Sequence, residues 1–187
     1  TKMTLTDSCM GLDSIGNGIF RMVLVSKRGI NMRLFFLVMA SFLPAGFWAW
    51  FFRQQDRYEQ EPLGPLLLTF AAGMLAVPAA VLLEEPFRSS IDAGSLLTRV
   101  VVAFVVVGLG EEALKLLAVY IIAYRRAEFS EVIDGMIYGI TAALGFAAVE
   151  NLLYTLAFGI EIAPARALVS SLAHGAFTGL GGYHLGR

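Results

Sequence analysis

Residues 132–158 read VIDGMIYGITAALGFAAVENLLYTLAF, an apolar run that is long enough to cross a membrane as one helix. A bilayer core about 30 Å thick takes about 20 helical residues to cross. Small side chains recur on one face of this run, and small residues let two helices approach closely. We therefore expect this face to pack against another helix; it comprises Gly135, Gly139, Ala142, Ala143, Phe146 and Glu150.

Four other stretches of the chain are similarly apolar, and short polar loops connect them, which makes neighbouring spans antiparallel. The chain is 57% apolar and 16% charged, with a mean hydropathy of +0.70. Soluble domains are nearer 45–50% apolar and about 25% charged. We predict an all-α, polytopic transmembrane helical bundle with about five spans, the other four lying at Leu34–Phe52, Pro65–Leu83, Arg99–Tyr124 and Pro164–Arg187.

Composition also excludes several classes of protein. The formal net charge is −1, so no basic field attracts nucleic acid, and the lipid bilayer is the expected partner. The single cysteine, Cys9, excludes an intrachain disulfide framework.

Residues 1–32 show no apolar periodicity and no signal-peptide core, and we expect a mobile or surface-lying extension there. Residues 33–187 form the predicted transmembrane domain.

Ionisable residues inside the spans are the informative ones, because each costs roughly 2.5–3.5 kcal/mol at the membrane centre. The third span carries Glu111, Glu112 and Lys115, the fourth carries Glu150, and the fifth carries His174. At 1.5 Å per residue, these residues lie about 12–18 Å from the same membrane side. We therefore expect three helices to bring them to one level, facing the interior of the bundle.

Two kinds of chemistry suit such a cluster. Carboxylates and an imidazole can hold a divalent metal and activate water, or they can relay protons through a transporter. Lys115 can pair with either Glu111 or Glu112, which leaves the other carboxylate without a cation of its own. His184 lies about 15 Å along the helix from His174 and cannot share a metal with it.

Three polar features near the spans have structural interpretations. Glu131 and Asp134 stand at the start of the fourth span, where acids favour helix capping. The loop Asp56–Pro62 is interpreted as a tether between two spans. Asn151 has two open interpretations, since it can orient the partner of Glu150 or satisfy a backbone group.

Four motifs together resemble the PrsW family of intramembrane proteases over roughly residues 34–187. The block from Glu131 to Tyr154 is the most specific of them, and the EExxK pattern alone is weak. The motifs are DRYEQEP at 56–62, EEALK at 111–115, EVIDGMIYG running into LGFAAVENLLY at 131–154, and SSLAHGAFTG followed by YHLGR at 170–187.

The resemblance implies a membrane-embedded peptidase that cuts membrane-anchored proteins, such as an anti-sigma factor, in the cell membrane of a prokaryote. Prenyl-protein CAAX endopeptidases look distantly similar, and by that analogy Glu111 is the general base and Glu112 supports it. The implied catalytic set is Glu111, Glu112, Lys115, Glu150 and His174. The implied metal ligands are Glu112, Glu150 and His174, a mixed set of oxygen and nitrogen donors that suits zinc.

Family members usually continue into further helices, one of which carries another histidine motif, so we expect the domain to be truncated at Arg187. The alternative function is a catalytically inactive scaffold or a proton-coupled transporter. Transporters of this kind often show inverted repeats. The sequence shows no internal repeat, which lowers that alternative.

Overall fold

The computed structural model describes residues 27–56, 60–127 and 129–187, and in these residues the chain forms helices and no strands. This confirms the prediction of an all-α bundle. The predicted extension at residues 1–32 lies largely outside the described residues. The helices are α1 (Lys27–Gln55), α2 (Leu63–Glu84), α3 (Arg88–Ala93), α4 (Leu96–Val101), α5 (Leu109–Ile122), α6 (Val132–Phe158) and α7 (Ser171–Leu185).

Within the described parts of the chain, three helical stretches are long and apolar enough to cross a membrane: Asn31–Gln55, Leu63–Ile91 and Val132–Phe158. The other two predicted spans are also helical, but each contains a π-helical segment. Val102–Gly108 joins α4 to α5, and Arg166–Ser170 leads into α7. Such segments are frequent at functional sites, and the polar residues predicted in both spans follow them closely.

Helix α6 lies at the centre of the bundle and packs against α1, α2, α5 and α7. A helix that is apolar on every face is expected to be buried on every face. Its glycines let neighbouring backbones touch it: a Cβ added at Gly135 would lie 2.2 Å from the Gly182 carbonyl oxygen, and one at Gly145 would lie 2.0 Å from that of Phe70. The predicted small-residue face therefore packs tightly against α7, and a second glycine contact joins α6 to α2.

Both ends of α6 are fixed by local chemistry. At its start, Asp134 Oδ2 accepts a hydrogen bond of 2.6 Å from the Glu131 backbone N–H, and the Glu131 side chain accepts from the Asp134 backbone in return. This reciprocal capping box confirms the capping interpretation of the two acids. At its end, Gly159 has a φ of 100°, which glycine adopts without steric cost.

The loop before α2 is tied to the bundle through Glu61. The Glu61 carbonyl oxygen accepts a hydrogen bond of 2.7 Å from Arg53 Nε, and its carboxylate accepts one of 2.5 Å from the Tyr138 hydroxyl. Burial raises the pKa of Glu61 to about 7, with further increases from Asp134 and Asp56 and an opposing effect from the Tyr138 hydrogen bond. The described part of this loop is thus a tether, as predicted, although residues 57–59 lie outside the description.

Candidate active site

The site is built around the side chain of Lys115, which is 0% exposed. Its ammonium donates hydrogen bonds to Glu112 Oε1 at 2.7 Å, to Glu111 Oε2 at 3.2 Å and to His174 Nδ1 at 2.8 Å. The spacings i−3 and i−4 place both carboxylates on the lysine's side of α5. An ammonium has three N–H donors, and all three are used here, which compensates the cost of burying the charge.

His174 connects this ammonium to α6. Because a charged lysine can only donate, Nδ1 of His174 accepts its hydrogen bond and the imidazole proton resides on Nε2. His174 Nε2 then donates to Glu150 Oε2 at 3.0 Å. The ring also lies against Phe146, with 5.6 Å between the ring centroids. One continuous hydrogen-bonded chain therefore runs from α5 through α7 to α6.

Arg166 extends the chain at the far side of Glu150. Its Nη2 donates to Glu150 Oε2 at 2.6 Å, and its Nε donates to Asn151 Oδ1 at 2.7 Å. Its guanidinium also stacks on the Tyr154 ring at 3.8 Å. Asn151 therefore orients the partner of Glu150, which is the first of its two interpretations. Arg166 was not among the residues predicted for the site, although an arginine inside the predicted fifth span was a signal for it.

Glu111 and Glu112 have different surroundings. Both oxygens of Glu112 are hydrogen-bonded, Oε1 to Lys115 and Oε2 to the Thr178 hydroxyl at 2.6 Å. Glu111 is bonded to Lys115 through Oε2. Among the described residues no partner bonds its Oε1, and the side chain forms part of a cleft wall. The structure thus distinguishes Glu112, whose two oxygens are both bonded, from Glu111, which lines the cleft with one oxygen unbonded among the described residues.

The cleft has a volume of about 490 Å³ and lies between the end of α2, the start of α3, α5 and the second half of α6. Ligand sites typically measure about 300–1,000 Å³ and combine apolar walls with a few polar groups. The walls here are mainly apolar, and two polar site residues, Glu111 and Glu150, line the cleft. The cleft is therefore large enough to admit a side chain or a short segment of polypeptide to these two carboxylates.

The structure brings together all five residues predicted for the site, Glu111, Glu112, Lys115, Glu150 and His174. Comparison with known proteins adds a family to this geometry. A family model described as the PrsW family intramembrane metalloprotease matches residues 61–187. The chain belongs to the PrsW family.

Members of the PrsW family align with most of the chain at about one-third identity. The chain is similar to Protease PrsW from Halalkalibacterium halodurans, with 34% identity over 154 residues, or 82% of this chain and 70% of the relative. For Protease PrsW from Bacillus subtilis the identity is 31% over 155 residues, 82% of this chain and 69% of the relative. No solved structure matches the chain. The resemblance inferred from the motifs is confirmed, and the chain is a membrane-embedded protease.

The description of the PrsW family includes a metal, and the side chains in the site are of types that can bind one. However, their arrangement in this structure does not suit a metal ion. Within the described residues, no group of three or more histidine, cysteine, aspartate or glutamate side chains is placed to hold a metal ion. The donor atoms are bonded instead to two cations: the Lys115 ammonium contacts Glu112 and His174, and Arg166 contacts Glu150. As arranged here, the predicted ligands Glu112, Glu150 and His174 do not fit a metal.

Proposed function

We propose that this chain is an intramembrane endopeptidase that hydrolyses peptide bonds of membrane-anchored proteins, with Glu111 as the general base. The observation that supports this role is the position of Glu111. Its carboxylate lines the cleft, Lys115 holds one of its oxygens, and the other has no partner among the described residues. A general base needs this combination of fixed orientation and access to substrate.

The proposed reaction uses one water molecule. Glu111 Oε1 takes a proton from the water while the water oxygen attacks the carbonyl carbon of the scissile peptide. When the tetrahedral intermediate collapses, the C–N bond breaks and Glu111 returns the proton to the leaving amine. The products are a carboxylic acid, which keeps the second proton of the water, and an amine, and Glu111 is regenerated.

The other residues position this base and the groups beside it. Lys115 fixes Glu111, and Glu112, which is not part of the cleft wall, fixes Lys115 in turn. Glu150, the second polar site residue in the cleft wall, is held between His174 and Arg166. We propose that Glu150 orients the attacking water or the substrate carbonyl.

That Glu112, Glu150 and His174 bind zinc stays a prediction. Binding it would require Lys115 and Arg166 to release these donors, and no step above passes through a metal. The test is the metal content of the purified protein, with His174→Ala as the comparison. A stoichiometric metal that His174→Ala loses would support the ligand set, whereas an equal metal content in both proteins would contradict it.

For the substrate, we propose a single-pass membrane protein such as an anti-sigma factor, cleaved in the cell membrane of a prokaryote. Support comes from the family and from the position of the cleft among membrane-spanning helices. The test is co-expression of the protease with a tagged anti-sigma factor. We expect a shortened fragment in the membrane fraction that is absent with Glu111→Gln.

The experiment that tests the general base uses the full chain reconstituted in liposomes with a fluorogenic membrane-anchored reporter. We expect Glu111→Gln to lower kcat by about 10²–10⁴-fold, the usual contribution of a general base. The control is Glu161→Gln, an exposed acid on the connection between α6 and α7. Wild-type kcat in Glu111→Gln, with correct membrane insertion, would contradict the assignment.

A further inference from the structure

Four glutamates line the cleft, and three of them are paired with a cation. Glu111 is paired with Lys115 at 3.2 Å and Glu150 with Arg166 at 2.6 Å. A third, Glu85, is paired with Arg88 at 3.6 Å. The fourth is Glu84, and in the described part of the chain it makes no ion pair or hydrogen bond.

Glu84 lies close to the catalytic centre. It is the last residue of α2, and the preceding Leu83 packs against α5 at Gly110, where an added Cβ would lie 2.7 Å from Leu83 Cδ2. Gly110 is adjacent to the proposed general base, Glu111. The carboxylate of Glu84 is half-buried and near enough to Glu111 and Glu150 to interact with both electrostatically.

The wall beside Glu84 is apolar and suits a long aliphatic side chain. Val77, Ala80 and Val81 line the cleft on the preceding turns of α2. Lysine and arginine bury their methylene stems against such surfaces while keeping the charge at a polar end. Membrane-anchored proteins also concentrate these two residues beside their spans. The cleft therefore offers an apolar wall for the stem and, for the charge, a carboxylate that has no ion-pair partner among the described residues.

We infer that Glu84 is a specificity-determining residue, which binds a lysine or arginine side chain of the substrate close to the scissile peptide bond. The inference rests on the proposed function, because it assigns the cleft to the protease substrate. It predicts cleavage next to the basic residues that flank a transmembrane span, and it adds a charge preference to a reaction whose chemistry does not require one.

The test uses two synthetic reporters, each with one Leu/Ala transmembrane helix and a fluorogenic flank that carries either lysine or glutamine at one position. The full chain in liposomes should cleave the lysine reporter with a kcat/KM roughly tenfold higher, the order expected for a charge-assisted hydrogen bond. Glu84→Gln should reduce the ratio of the two rates to about one. The control, Glu161→Gln, removes an exposed acid on the connection between α6 and α7 and should keep the wild-type ratio of the two rates.

A binding measurement separates this inference from the proposed function. Both reporters are titrated by fluorescence anisotropy against the Glu111→Gln protein, with and without Glu84→Gln. Tighter binding of the lysine reporter that disappears with Glu84→Gln supports the inference. It does so even if the wild-type protein cleaves neither reporter, because that failure would count against the proposed function alone. Equal binding of the two reporters, or a preference that survives Glu84→Gln, would overturn the inference.

Discussion

The Lys115 ammonium lies 2.8 Å from Nδ1 of His174, so a partly buried hydrogen bond joins α5 to α7. The same imidazole contacts Glu150 on α6 through its other nitrogen. Since the lysine also holds Glu111 and Glu112, a single cation bonds groups on α5 and α7 and is linked to α6 through His174. This makes Lys115 important both for stability and for the geometry of the cleft.

Replacing Lys115 by methionine removes the charge and keeps most of the volume. Two carboxylates then lose their buried partner, and removing one partner of a buried pair typically costs about 3–5 kcal/mol. We expect a loss of this size in the free energy of unfolding, measured by denaturation in detergent. Arg88→Gln breaks an exposed pair with Glu85 and should cost at most about 1 kcal/mol. Similar stabilities for the two variants would contradict the central role of Lys115.

Arg166 should act on the reaction through Glu150. Arg166→Gln removes the 2.6 Å contact with Glu150, and misplacing a reacting group by about 1 Å can cost roughly 10²-fold in rate. We expect kcat to fall by about that factor with little change in KM, because Arg166 is not part of the cleft wall. Arg166→Lys keeps the charge but not the forked geometry, so it should restore only part of kcat. A change in KM alone would show that Arg166 does not position Glu150.

The glycine contact between α6 and α7 should tolerate no side chain. A Cβ at Gly182 would lie 2.0 Å from the Gly135 carbonyl oxygen. Gly182→Ala should therefore lower stability by about 1–3 kcal/mol and reduce activity, because α7 also carries His174. The matched control is Gly46→Ala in α1, where a Cβ meets nothing within 4 Å. This control should be neutral or stabilising by about 0.5–1 kcal/mol; a Gly182→Ala protein that behaves in the same way would refute the close contact.

Glu61 should make stability depend on pH. Burial raises its pKa in the folded protein to about 7 from an ordinary value of 4.5, so the fold favours the protonated form. Its stabilising contribution is complete below about pH 4.5 and is lost as the pH rises towards 7. We expect the Tm in detergent to fall over this interval, with a smaller fall for Glu61→Gln. Parallel Tm profiles for the two proteins would exclude Glu61 as the source.

Local and periodic features were predictable from the sequence. The capping of α6 by Glu131 and Asp134 depends on residues three positions apart. Helical periodicity alone placed Gly135 and Gly139 on one face that packs against another helix, which the structure shows to be α7. The common level of Glu111, Glu150 and His174 followed from the rise per residue and the alternating direction of the spans. Such arguments need no knowledge of how the helices cross.

Features that depend on how the helices cross were not predictable. The cleft exists because the end of α2 and the second half of α6 leave space beside Glu111. The contact of Arg166 with Glu150 arises where the π-helical segment Arg166–Ser170 begins. Likewise, spacing on α5 showed that Lys115 could reach both glutamates, but not that His174 would be its third partner.

The central position of α6 has a consequence for biosynthesis. Helices enter the membrane in the order of translation, so Glu150 leaves the ribosome before α7 exists, at a stage when a charge in lipid costs roughly 2.5–3.5 kcal/mol. Arg166 follows Glu150 by 16 residues, whereas His174 follows it by 24. The nascent chain therefore supplies a counter-charge for Glu150 about one to three seconds after the glutamate, at roughly 5–20 residues per second. The first contact of the candidate active site is thus available to form while the chain is still being synthesised.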